Sequence, residues 1–531
     1  MKKLLLFQFC LILMNVNAQF ATGIMDFNNT SAIFSNAGYL FDDFVNNTPG
    51  YEIGQGSGLN TIYSTSLMVA GRDVNGQLKM AMSGNPNIGI DFSSGPYAST
   101  GNYSDSSYQS RWSGTYTICK QDIDDFIVWW ECLNLGTSAN GDCSTATAPS
   151  PYVLQLIYDY PAHGNILNGE SFFLAPFYDR NADGTYEPDH GDYPLIERGC
   201  CISYLIFNDM AGIHTYSGGD PIGVEVHMII YHYNSFQDYL HNATFVDLKV
   251  INRSTQTLYD FATSFYVDPD LGNYADDMIG CDSTLNLSYV YNGDNLDENN
   301  GGNLGFGQSP PAFGVVELTQ GLSSHVPNAL VNGPQELYNC MLGLKPDGSN
   351  YVDEFGMPTK FVYHDNPNTS NGYSQWEQGM VPGDQRFFTN TLTPVLTPGD
   401  TVQRSFAFIY AEGNDHLNSV SNLMTVASQT KQFYDNESTI ACEGGVWNVD
   451  EIEQRKDFTI YPNPVSGPFS VELSSFEDGV DLSVVDMLGN EHYQQRVSGK
   501  TVTINKELSA GVYLIVLTDG MDRVTKQLVI R

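Results

Sequence analysis

The run Asp179-Arg180-Asn181-Ala182-Asp183-Gly184-Thr185-Tyr186-Glu187-Pro188 carries the most explicit chemical spacing in this sequence. Side-chain oxygens at its first, third and fifth positions, a glycine at the sixth and a backbone carbonyl at the seventh form the core of a calcium loop. Calcium takes six to eight hard oxygen ligands, and alternate side chains on a tightly turned loop converge on one point. The expected ligands are the side chains of Asp179, Asn181 and Asp183, the carbonyl of Thr185, Glu187 acting through water, and Asp192 as the late carboxylate. The loop departs from an EF-hand at its twelfth position, where His190 replaces glutamate, and Ala175-Pro176-Phe177 leaves no long helix leading in. The plainer alternative is an Asx-turn loop without an ion.

A second group of acids follows: Asp268, Asp270, Asp276, Asp277 and Asp282, with Asp294 and Asp297 soon after. Carboxylates at this density raise one another's pKa or recruit a cation. A second, weaker calcium site is the functional expectation, and a solvated acidic loop the alternative. No G-x-S-x-G elbow, H-E-x-x-H helix or phosphate-binding glycine loop is present, so no catalytic residue is assigned. Acid pairs for glycoside hydrolysis leave no local motif; Asp268 and Asp270 are the first such pair the sequence offers. His227 and His232 lie in or beside a strand and read as hydrogen-bonded structural histidines.

These loops need elements to hold them. Alternating apolar residues over 223–231, 243–250, 259–267 and 405–410 predict strands, separated by turns rich in Gly, Asn and Pro. The fold class is all-β, a multi-sheet sandwich body with few helices. Leu417, Val420, Met424 and Ala427 fall at helical spacing after Asn414 or Asp415 as cap, and a weaker helix is expected over 120–130. Length divides the body into 19–235, which carries the calcium-type loop, and 236–436, which ends in the helix. A polar linker, 437–456, leads to the last domain, 457–531.

Composition excludes some partners. With 61 acidic against 23 basic residues and a net charge of −38, the chain lacks the basic footprint that nucleic acid or anionic lipid requires. Self-repulsion on that scale favours bound cations. Disorder is countered by 41% apolar and 12% aromatic residues. Of the nine cysteines, Cys10 lies in an N-terminal apolar run. Cys119, Cys132, Cys143, Cys200, Cys201, Cys281, Cys340 and Cys442 remain, an even set without a CxxC pair. Most are expected in disulfides, Cys132 with Cys143 first, and the vicinal Cys200 and Cys201 as the exception if two stay reduced.

The two ends address the chain. Lys2 and Lys3, an apolar run and Ala18 make a secretory signal peptide, 1–18, too short to span a bilayer. At the other end, short runs rich in Val, Ile, Leu and Tyr are cut by Pro, Gly and Asn, which predicts a small immunoglobulin-like β-sandwich. Tyr461-Pro462-Asn463-Pro464, Asp486-Met487-Leu488-Gly489, Leu508-Ser509-Ala510-Gly511-Val512-Tyr513 and the final strand 526–531 stand there in order. This tail resembles the type A C-terminal sorting domain of the type IX secretion system of Bacteroidetes. The resemblance implies export through the periplasm, engagement of the secretion machinery by the tail, and a final place at the cell surface or in the medium. Gly71-Arg72-Asp73-Val74-Asn75-Gly76, Ala175-Pro176-Phe177 and Asp268-Pro269-Asp270-Leu271-Gly272 resemble stretches of large secreted proteins with the same tail, which implies a location rather than a reaction. The expected role is a calcium-stabilised surface protein that binds glycans or other surface proteins. The alternative is a secreted hydrolase acting on polysaccharide or protein.

Overall fold

A computed structural model describes residues 20–327, 331, 333–370, 372–436, 442 and, in the tail, 458–461, 465, 467–473, 480–486, 491–506, 508–509, 511–519 and 522–531. The expected signal peptide and nearly all of the expected linker lie outside the described residues, as do Pro462, Asn463, Pro464, Met487, Leu488, Gly489 and Ala510 of the tail motifs. The chain forms two compact units, 1–443 and 444–531.

The first unit is two antiparallel sheets stacked on a shared core. One has ten strands, with Phe387–Leu396, Leu258–Asp268 and Ser64–Arg72 side by side; the other has nine, centred on Cys201–Asn208, Val224–His232, Ala243–Asn252 and Thr401–Ala411. Strand periodicity sorts the side chains. In Ser64–Arg72, Leu67 and Val69 enter the core between the sheets, while Met68 and Ala70 enter a second cluster on the outer face. In Ala243–Asn252, Val246, Leu248 and Val250 face the shared core, and Ala243 and Phe245 face outward under helices. Both faces are covered, which explains why apolar residues stand at outward as well as inward positions of these strands. Strands take 39% of the chain and helices 15%, so the all-β class holds. Strands from either side of residue 235 share both sheets, so the boundary expected there falls inside one core.

Helices cover the outer face of the nine-stranded sheet. His416–Asp435 begins where Asp415 accepts a hydrogen bond from Asn418 N, and it buries Val420, Leu423 and Ala427. Lys120–Leu135 extends the weaker helix expected there and ends at Gly136, which takes φ 73°. Pro151–Tyr158 starts on the Ser150 cap with proline in its first turn.

The described residues hold three disulfides: Cys132–Cys143, as expected, Cys119–Cys201 and Cys200–Cys442. Cys281 and Cys340 are buried thiols. The vicinal pair is therefore not the exception. Successive residues on a strand point to opposite faces, so Cys201 enters the inner core and Cys200 the outer one, where each meets its own partner.

The second unit packs a three-stranded sheet (Thr459–Tyr461, Phe469–Glu472, Thr501–Ile504) and a four-stranded sheet (Val480–Asp486, Glu491–Val497, Gly511–Asp519, Asp522–Ile530) around Phe469, Val471, Leu482, Val484, Ile515 and Leu517. This is the small sandwich expected at the end of the chain.

Candidate functional site

The loop 179–192 is closed by a two-residue ladder, Phe177–Tyr178 against Tyr193–Pro194, with Tyr178 and Tyr193 stacked at 4.6 Å. Asp179 turns the chain: its Oδ1 accepts from Ala182 N and its Oδ2 from Gly184 N, both at 2.7 Å. Ala182 and Gly184 take positive φ of 59° and 81°. Asp183 Oδ1 accepts from Thr185 N at 2.8 Å, and its other oxygen from Asn181 Nδ2 at 2.8 Å. The Thr185 amide, then Asn181, hold its carboxyl below the usual range. Ligand atoms of Asp183, Glu187 and His190 lie within 4.8 Å of one another, with Glu187 Oε2 2.8 Å from His190 Nδ1. A carboxylate oxygen has two lone pairs, so one that accepts an amide can still face a cation.

Asp192 has a different place. It is fully buried, and its two oxygens accept from Arg180 N at 2.9 Å and Glu187 N at 2.8 Å. It clasps the ends of the loop, while Glu187 and His190 stand nearest Asp183. The helices hold the outside of the loop. Arg180 pairs with Glu131 at 3.0 Å and lies 4.8 Å over the Trp130 ring, and Trp130 Nε1 donates to Asp189 O at 3.1 Å.

The segment leading into the loop is also the wall of a groove. A cavity of about 600 Å³ lies on the outer face of the nine-stranded sheet, lined by Phe173, Phe177, Glu197, His227, Asp247 and Lys249 among others. Phe173 and Phe177 precede the loop and Glu197 follows it. His227 is tethered beneath: Nδ1 meets Tyr204 Oη at 2.7 Å, Nε2 meets Glu225 Oε1 at 3.0 Å, and Arg253 donates to that same oxygen at 2.6 Å. Burial lowers the His227 pKa against the pull of Glu225. Burial pushes Glu225 up, but His227 and Arg253 outweigh it and hold the carboxyl below its usual range. His232 is buried against Thr30 and Thr244, with its pKa driven down to about 3 by burial. Both histidines have the structural place expected of them.

The five acids of the second group do not converge. Asp268 and Asp270 meet Asp384, with ligand atoms within 4.8 Å of one another. Arg386 lies 3.1 Å from Asp268 and 3.0 Å from Asp384. Burial, with Arg386 opposing it, takes Asp268 to about 7; burial and then the Asp268 charge take Asp270 to about 8. Asp276 and Asp277 sit farther along, beside Asp297. Burial and then Asp297 raise Asp276 to about 6, and Asp277 Oδ2 accepts from Leu271 N at 3.1 Å. Asp282 is at the far end of the strand Asp277–Asp282, about 17 Å from Asp277 at strand rise. There it caps a turn through Thr284 N and Leu285 N. Closeness in sequence fails here because an extended strand carries its ends apart. Asp384 and Arg386 were missed for the converse reason: more than a hundred residues separate them from Asp268, and only the pairing of Val267 with Phe387 brings them in.

Residues 459–531 match the secretion system C-terminal sorting domain family. The chain therefore carries a type IX sorting tail and is secreted, to the cell surface or beyond it. No helix among the described residues is long and apolar enough to cross a membrane. No curated protein sequence matches the chain. Among solved structures it is similar to a polysaccharide lyase, at 12% identity and a TM-score of 0.17, over 58% of this chain and 34% of that one. It is also similar to PorZ, an essential bacterial surface component of the type-IX secretion system of Porphyromonas gingivalis, at 11% identity and a TM-score of 0.13, over 67% of this chain and 47% of that one. The chain thus spans about a third and about half of those two proteins. Overlays this loose carry no functional argument.

Proposed function

We propose that the body works outside the cell as a calcium-braced binding protein, taking glycans or surface proteins in the groove beside His227, Asp247 and Lys249. The observation that carries this reading is continuity. The groove wall at Phe173 and Phe177 runs directly into the loop 179–192, and Glu197 leaves it on the other side. An ion held by Asp179, Asn181, Asp183 and the Thr185 carbonyl, with Glu187 nearby, fixes that wall. Without the ion, several carboxylates face each other on an exposed turn. Sheet-borne polar groups beside aromatic side chains suit a ligand rich in hydroxyls or amides.

Asp268 and Asp270, with carboxyls poised near neutral pH, favour the second reading, a secreted hydrolase. One oxygen of each lies within 4.8 Å of the other, nearer the about 5–5.5 Å between the carboxyl groups of retaining pairs than the about 6.5–9.5 Å of inverting pairs. A glycan-array and hydrolysis screen on the purified body, with calcium and with chelator, separates the two. Calcium-dependent retention without turnover, weakened in Asp247→Ala and Lys249→Ala, is the expected result. Turnover of a polysaccharide or protein, abolished in Asp270→Asn, would replace this reading with the hydrolase.

A further inference from the structure

We infer that Asp268, Asp270 and Asp384 form a second divalent-cation site, for calcium, independent of the loop 179–192. Three neighbouring strands build it at one end of the ten-stranded sheet. Asp268 ends the strand Leu258–Asp268, where it pairs with Ser64 at the start of Ser64–Arg72. On its other side Phe387 opens the strand Phe387–Leu396, with Asp384 and Arg386 just before it. The loop after Asp268 then folds Asp270 back onto the same point.

The convergence has the right scale. Two oxygens bound to one calcium at about 2.4 Å lie no more than about 4.8 Å apart, and the ligand atoms of all three carboxylates meet that limit. All three are hard oxygen donors, the kind calcium prefers. A further observation points to a ligand. Asp270 is only 8% exposed and accepts no hydrogen bond from the described residues. A buried charged oxygen without a donor is costly and calls for an ion, a proton or water. Arg386, paired with Asp268 and Asp384, supplies one positive charge against three carboxylates. Asp384, with its side chain 43% exposed, opens the site to solvent.

The test uses the mature chain stripped of metal by chelator. Calcium stoichiometry is read by calorimetry, and terbium is followed by tyrosine-sensitised emission, for which Tyr63 and Tyr266 are the nearby donors. Asp270→Asn and Asp384→Asn should each bind one ion fewer than the unaltered chain and lose the part of the sensitised emission that arises at this site. Asp183→Asn should instead lose the loop ion and the emission sensitised there by Tyr178, Tyr186 and Tyr193 while keeping this site's ion and emission, so failure of the loop reading and failure of this one are told apart. Asp384→Asn alters a half-exposed side chain and guards against a variant that merely misfolds; circular dichroism checks both. If folded Asp270→Asn and Asp384→Asn bind as many ions as the unaltered chain, the site does not exist.

Discussion

Asp192 and Asp270 are both nearly sealed from water, and they meet burial in opposite ways. Asp192 spends both oxygens on backbone amides. Removing it strands Arg180 N and Glu187 N inside the fold, so Asp192→Ala should lower stability by about 2–4 kcal/mol, read as a drop in the urea midpoint; a change within error would mean that those amides find water. Asp270 has no such donors, and the consequence shows in pH. Asp268 and Asp270 have folded-state values near 7 and 8, against about 3.9 for an aspartate in the unfolded chain. The folded state therefore holds more protons between those limits, and stability falls as pH rises. In chelator the unfolding free energy should decline from about pH 4 to about pH 8, and Asp270→Asn should flatten that slope. A slope of equal size in the variant would place the protons elsewhere. The D-x-N-x-D-G spacing made Asp179, Asn181 and Asp183 legible in the sequence. The role of Asp192 was not legible, because a carboxylate that ligates and one that clasps amides occupy the same place in the string.

At the scale of elements, alternation was a sound guide wherever one strand could be judged alone. The strands expected over 223–231, 243–250, 259–267 and 405–410 and the helix capped at Asp415 all formed. Asp415→Ala should cost about 1 kcal/mol through the loss of that cap, measured by thermal unfolding; Asp415→Asn should cost little. Partnership between elements was not legible. Nothing local in the sequence says that 387–396 lies beside 258–268, and with that pairing hidden Asp384 and Arg386 stayed hidden too. The cysteines follow the same logic, since opposite faces of one strand send Cys200 and Cys201 to distant partners. Thiol titration of denatured, unreduced protein should find two reactive groups, Cys281 and Cys340, and almost none before denaturation. Four or more would break the disulfide framework.

For the whole molecule, the sorting tail and the body are separate compact units, each with its own core. A chain ending at Lys456 should therefore fold in the periplasm and stay there, and its appearance in the medium at normal levels would remove the tail from the export route. The large acidic excess gives the body a reason to hold calcium, and the ion proposed for the loop 179–192 would lie beside the groove. Melting the purified body with calcium and with chelator tests that claim most directly. With free calcium at about a hundred times its dissociation constant, one site adds about 2.7 kcal/mol. The melting temperature should rise accordingly, and the Asp179→Ala, Asp183→Ala double variant should lose much of the gain. Melting curves that coincide in calcium and chelator, or magnesium that matches calcium at equal concentration, would contradict the account.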